Sequence, residues 1–191
     1  MSSQDVQRPI CIIGLGLIGG SLLRDLAGYK HPVFGYNHST SGARTAVKQG
    51  FDVTDDLPSI LTRAEAEDAL IVIAVPMTAV GEVLDAIQEH APSCGITDVV
   101  SVKTAVRQQV LERGMESRYV GGHPMAGTSK SGWDNSQRDL FRRAAWGITY
   151  DYAAECEARG EKIPKQWIET FTEVVRMTQM PAGPRTRHGI A

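Results

Sequence analysis

Two hydrophobic patterns alternate along this chain: short apolar runs of strand length, and stretches whose apolar residues recur with helical period. Ile10 to Ile13 is a compact apolar strand. Ile18 to Ala27 follows it with Ile18, Leu22 and Leu26 on one helical face. Pro32 to Tyr36 reads as a second strand, and Thr40 to Gln49 as a helix stopped by Gly50. Leu57 to Arg63 is a short helix. Ala69 to Val75 is the longest apolar run, as expected of a parallel strand buried on both faces. Pro76 then opens a helix that places Val80, Val83, Leu84 and Ile87 together. Ile96 to Ser101 is the next strand and Thr104 to Arg113 the next helix. Tyr119 to Gly121 is a short strand before a loop, and Ala145 to Tyr150 a late strand. Pro164 to Met177 is a helix with Trp167, Phe171, Val174 and Val175 on one side.

Strand and helix alternating at this spacing predict βαβ units and an α/β fold: a doubly wound, mostly parallel sheet with helices on both faces. Ligands of such sheets bind beyond the carboxyl ends of the strands, and the motifs below all fall at such ends. The chain has 191 residues, enough for one domain with a full core. Residues 1–180 are expected to form it. Residues 181–191 form a Pro/Gly/Arg-rich tail without helical period.

Composition narrows the partners. The formal charge is -2 and basic residues are scattered, so neither nucleic acid nor an anionic membrane is indicated. The Arg142-Arg143 pair reads as a solvated surface feature. The N-terminus lacks an apolar signal core, and no apolar run reaches membrane-spanning length, so a cytoplasmic location is expected. Three cysteines, Cys11, Cys94 and Cys156, show no CxxC spacing and read as reduced structural thiols. Five histidines show no metal-ligand spacing, and no metal is expected.

Gly14-Leu15-Gly16-Leu17-Ile18-Gly19 fits GxGxxG. The pattern alone is weak, but here a strand precedes it and an amphipathic helix follows. Gly14 permits the tight turn, Gly16 admits a pyrophosphate to the backbone, and Gly19 lets helix and strand pack closely. The helix N-terminus offers unpaired N–H groups to the phosphates. A Rossmann-like dinucleotide site is the reading. At the end of the second strand, where a carboxylate would select NAD, stands Asn37. Asn37, His38, Ser39 and Thr40 can donate hydrogen bonds, and Arg44 lies a helical turn further on. The expected cofactor is NADP, with NAD possible. Arg44 as a merely exposed residue, with Asn37 on a plain ribose, is the alternative.

Asp98-Val99-Val100-Ser101-Val102-Lys103 ends another strand at the ligand edge, and Gly121-Gly122-His123-Pro124-Met125-Ala126-Gly127 follows a further one. His123, expected on a loop stiffened by Pro124, carries an imidazole, the side-chain type suited to accepting a proton at neutral pH. Ser101 can hydrogen-bond a substrate hydroxyl or the nicotinamide amide. Lys103 either balances a phosphate or carboxylate, or caps a helix start at the surface.

Together these segments resemble the prephenate/arogenate dehydrogenase family of tyrosine biosynthesis. The matching pieces are Gly14 to Ser21, Ala74-Val75-Pro76, Asp98 to Lys103 and Gly121 to Gly127, with Ser131-Gly132-Trp133 and Leu140-Phe141. The resemblance implies NAD(P)-dependent oxidative decarboxylation of prephenate or arogenate. His123 would take the proton of the ring hydroxyl, and Ser101 would steady that hydroxyl and the nicotinamide. It also implies cofactor contact at Leu15, Leu17, Ile18, Val75 and Pro76, and substrate contact at Gly122 and Thr128. Family members continue into a helical domain that makes a homodimer and supplies cations for the substrate carboxylates. This chain is expected to lack that domain, to bind cofactor and to turn over poorly, with the Trp167–Val175 helix face left exposed. The rival readings are another dehydrogenase on the same sheet, acting on a hydroxy acid or imine, and a non-catalytic nucleotide-binding module.

Overall fold

In a computed structural model, which describes residues 7–180, the chain forms a seven-stranded sheet flanked by seven α-helices. The tail at Pro181–Ala191 lies outside the described residues. The strands are β1 (Ile10–Ile13), β2 (Val33–Tyr36), β3 (Val53–Thr54), β4 (Leu70–Ile73), β5 (Ile96–Asp98), β6 (Tyr119–Pro124) and β7 (Trp146–Ile148). They lie in the order β3-β2-β1-β4-β5-β6-β7. All neighbours run parallel except β6 and β7, which are antiparallel. The helices are α1 (Leu17–Gly28), α2 (Thr40–Lys48), α3 (Leu57–Ala66), α4 (Met77–His90), α5 (Lys103–Glu112), α6 (Asp151–Ala158) and α7 (Lys165–Gln179).

Alternation along each strand feeds two cores. Cys11, Ile13, Ile71 and Ile73 pack under α3, α4 and α5. Ile10, Ile12, Leu70 and Val72 pack under α1, α2 and α7. This is why the run around β4 is apolar without interruption: helices cover both of its faces. The order reverses between β1 and β4, where a doubly wound sheet opens a crevice at its carboxyl edge.

Several boundaries differ from the pattern-based expectation, each for a physical reason. β3 is only two residues long, too short to show a period. α3 runs on to Ala66, started by the Asp56 side chain, which accepts from the Ser59 amide at 3.1 Å. β5 stops at Asp98, leaving Val99 to Ser101 as the turn beyond it. β6 extends through Pro124 because β7 pairs with it, His123 opposite Gly147. α6 was not expected from the pattern; only Ala153 and Cys156 of it are buried, so its apolar stripe is narrow.

The expected exposed face on the last helix is not there. Trp167 is 3% exposed and Val174 fully buried. The Trp167 indole donates to the Tyr119 carbonyl at 3.1 Å and stacks on Phe171 at 5.2 Å. α7 is thus an integral layer of the sheet's second core, and Ile168 alone among its large apolar residues is strongly exposed. Cys11, Cys94 and Cys156 are free and buried. Burial, then the Glu65 carboxylate, pushes the Cys94 thiol up to about 12, which leaves it protonated and unreactive.

Trp167→Ala should therefore lower unfolding stability by about 3–5 kcal/mol in urea titration, whereas Ile168→Ala should change it by about 0.5 kcal/mol or less. Equal effects would mean that α7 does not pack as described.

Candidate active site

The β1–α1 turn is built on backbone contacts that only glycine allows. Gly14 has φ +101°, and a Cβ there would stand 2.6 Å from the Ala74 carbonyl oxygen. A Cβ on Gly19 would stand 1.9 Å from the Gly14 carbonyl oxygen, so α1 lies as close to β1 as two backbones can come. Gly16 is different: a Cβ there meets nothing nearer than the Gly132 amide at 4.0 Å, because this position faces open space. Gly14 and Gly19 thus leave no room for a side chain, whereas Gly16 does.

That open space is a cleft of about 570 Å³ along the carboxyl edge of the sheet. Its walls are the turn Gly14 to Ile18, the end of β2 at Tyr36 to His38, Ala74 to Met77, Val99 to Ser101, and the loop from Ala126 to Gly132. Leu15, Leu17, Val75, Pro76, Ser101 and Thr128 all line it. The first turn of α1 has no side-chain cap, so its N–H groups are open to a ligand. Among the described residues, no aspartate or glutamate lines the cleft.

At the β2 end the expected cluster separates. Asn37 and His38 line the cleft. Ser39 is the N-cap of α2; its hydroxyl accepts from the Gly42 amide at 3.2 Å and lies 3.0 Å from the Ser41 hydroxyl. Thr40 and Arg44 line a separate depression beside Thr54 and Asp55. Helical geometry keeps the two together: Thr40 and Arg44, four residues apart on α2, share one face of the helix, and that face looks toward Thr54 and Asp55 rather than into the cleft.

The strand after the cleft holds the polar centre of the site. Asp98 is fully buried at the end of β5. Its carboxylate accepts from the Tyr119 hydroxyl at 2.7 Å, the Val100 amide at 3.0 Å and the Gly122 amide at 3.4 Å, and it pairs with the Lys103 ammonium. One carboxylate thereby ties β5, the start of α5 and β6, with Ser101 inside the turn it closes. Lys103, read as a cation for a ligand or for solvent, is instead the counter-charge of Asp98. Burial lowers its pKa, and Asp98 opposes that shift. Burial and then the Asp98 charge raise the Tyr119 hydroxyl, which keeps its proton to donate. An aspartate inside an apolar strand is the sequence signal for this network, since a carboxylate in such a place needs donors around it.

His123 was expected on a loop. It lies instead in β6, half-buried. It is not among the residues lining the cleft, whereas Ser101 is. Its Nδ1 is buried without a hydrogen-bond partner among the described residues. Gly122, expected to touch substrate, is buried, and its amide is committed to Asp98. Among the described residues no group of three or more His, Cys, Asp or Glu is placed to hold a metal, and no helix is long and apolar enough to cross a membrane.

Comparison with known proteins places these features. The sequence profile described as "Prephenate dehydrogenase, nucleotide-binding domain" matches residues 20–178. A Bacillus subtilis prephenate dehydrogenase is 34% identical over 179 residues, which cover 88% of this chain and 44% of that protein. A Corynebacterium glutamicum crystal structure, provisionally assigned as a prephenate dehydrogenase, is 56% identical with a TM-score of 0.87, over 93% of this chain and 54% of that one. A Synechocystis arogenate dehydrogenase structure is 29% identical with a TM-score of 0.70, over 89% of this chain and 57% of that one. The chain spans about half the length of the relatives it matches.

The Asp98–Lys103 pair predicts an order of stabilities. Lys103→Met strands a fully buried carboxylate and should cost about 3–5 kcal/mol. Asp98→Asn should cost less, because the Lys103 side chain is 25% exposed and can turn to solvent. The double variant should recover part of the loss. Urea denaturation of the three variants checks this; additive losses would show that the two groups do not interact.

Proposed function

The chain belongs to the prephenate dehydrogenase family, as its nucleotide-binding domain, and we propose that it holds a nicotinamide dinucleotide for oxidative decarboxylation of prephenate or arogenate. The observation that carries this reading is the cleft itself. It has the glycine turn at one wall, an uncapped helix N-terminus, no carboxylate among the described residues, and Ser101 at the far wall. The open space over Gly16 fits a pyrophosphate, and Gly14 to Ile18 with Val75 and Pro76 would hold the dinucleotide. When bound, the nicotinamide supplies the hydride acceptor.

The rest falls to the chain's own residues. Ser101, exposed on the turn that Asp98 closes, would hydrogen-bond the substrate hydroxyl and the nicotinamide amide. His123 would take the hydroxyl proton at Nε2, which requires its ring proton to sit on Nδ1. No described residue accepts a hydrogen bond from Nδ1. Thr128 would add a hydroxyl on the substrate side. NADP is the proposed cofactor over NAD. The support is Asn37 in place of a carboxylate, with His38 beside it in the cleft. Arg44 does not contribute to this wall. The orphaned Nδ1 favours one other reading: nucleotide binding without turnover by this chain.

Nicotinamide fluorescence titration should give tighter binding of NADPH than NADH. Asn37→Asp should reverse the order, by about tenfold or 1.4 kcal/mol, through repulsion of the 2′-phosphate. Steady-state assays with prephenate and arogenate test the chemistry. His123→Asn should lower turnover by about 10²–10⁴-fold while leaving cofactor affinity unchanged. Turnover untouched by that change would remove the imidazole from the reaction. Cofactor binding without any turnover would favour the non-catalytic reading.

A further inference from the structure

The cleft has a second wall whose chemistry the glycine motif does not explain. The loop after β6, Ala126 to Gly132, lies across the first turn of α1. A Cβ on Gly127 would stand 3.5 Å from Ile18 Cδ1, and the Gly132 amide faces Gly16. The loop is held at both ends. On one side the Met125 amide donates to the Ala145 carbonyl at 2.8 Å. On the other, a polar stripe of α1 grips the segment that follows. Ser21 Oγ accepts from the Gln137 amide at 2.9 Å, and Asp25 Oδ1 from the Asp139 amide at 2.9 Å. Arg24 Nε donates to Ser136 Oγ at 2.8 Å, and its guanidinium lies 4.1 Å from the Trp133 ring centroid.

Lys130 sits in this clamped loop, and it is the one lysine or arginine among the described residues lining the cleft. It is exposed and forms no ion pair among the described residues. The two cations that the sequence brought forward are engaged elsewhere: Arg44 lines another depression and Lys103 neutralises Asp98. A doubly anionic pyrophosphate over Gly16 therefore meets the α1 N-terminus on one side and has one full positive charge within the cleft to draw on.

We propose that Lys130 binds the pyrophosphate of the dinucleotide, reaching it from the loop after β6 across the cleft from the glycine turn. The proposal rests on the dinucleotide reading of the cleft. It assigns the loop a role in holding cofactor as well as covering it, so that the phosphates are gripped from two elements distant in sequence. Because the pyrophosphate is common to both cofactors, Lys130 does not discriminate between them; that falls to Asn37 and His38.

The test is fluorescence titration of this chain with NADH and with NADPH, for the wild type, K130A and K130R. K130A should weaken both cofactors alike by about tenfold, equivalent to about 1.4 kcal/mol. K130R should restore most of the affinity, and added salt should weaken the wild type more than K130A. Melting temperature and circular dichroism should not change, since the side chain is exposed. K130A binding both cofactors as tightly as wild type overturns the proposal. A loss confined to NADPH also overturns it, by moving the lysine to the 2′-phosphate. A wild-type chain that binds neither cofactor sinks the dinucleotide reading together with the proposal.

Discussion

The backbone contact between Gly14 and Gly19 governs this structure. With no side chain at either position, α1 settles so close to β1 that a single Cβ would collide with a carbonyl. That proximity aims the free N–H groups of the helix at the crevice between β1 and β4. It also buries α1 on nearly every side: Leu22, Leu23 and Leu26 join the sheet's core, while Gly20, Ser21 and Asp25 lie under the segment after Trp133. Side chains between helix and strand would push α1 outward, and the loop that forms the opposite wall would lose its anchor.

A second constraint lies on the other side of the cleft. Asp98 is wholly enclosed and served by four donors from three elements. A buried carboxylate is tolerated only when its hydrogen-bonding capacity is met and a counter-ion stands beside it. Meeting those demands fixes the turn that carries Ser101 and the strand that carries His123 relative to one another. The polar network is thus a matter of geometry as much as of stability, because a reacting group misplaced by about 1 Å loses much of its effect.

The two halves of the cleft divide the work by chemistry. The glycine side offers backbone dipoles and close approach, without formal charge. The loop side offers Lys130, and the β2 end offers the amide of Asn37 and the imidazole of His38. A crevice at the reversal of strand order, lined by no carboxylate among the described residues, is suited to a ligand that is anionic along its middle. His123 stands apart, in a paired strand, with an Nδ1 that has no hydrogen-bond partner among the described residues.

Most of the layering was legible in the chain itself. Runs such as Leu70–Ile73 are apolar at every position because both faces of a central parallel strand are covered, and that signal survives without knowledge of the fold. The glycine turn was equally legible, because each glycine answers a local backbone demand. What sequence could not reach depends on partners distant along the chain. β6 is six residues long only because β7 exists to pair with its second half. Trp167 is buried only because α7 folds back under Tyr119. Lys103 is neutralised by a carboxylate that its own sequence position does not reveal as buried, and Arg44 shares with Thr40 the α2 face that looks toward Thr54 and Asp55. Local spacing determined which elements form and where a dinucleotide turn lies. Which charges remain available in the cleft was decided by tertiary structure, since burial and ion pairing are properties of neighbours brought together by the fold.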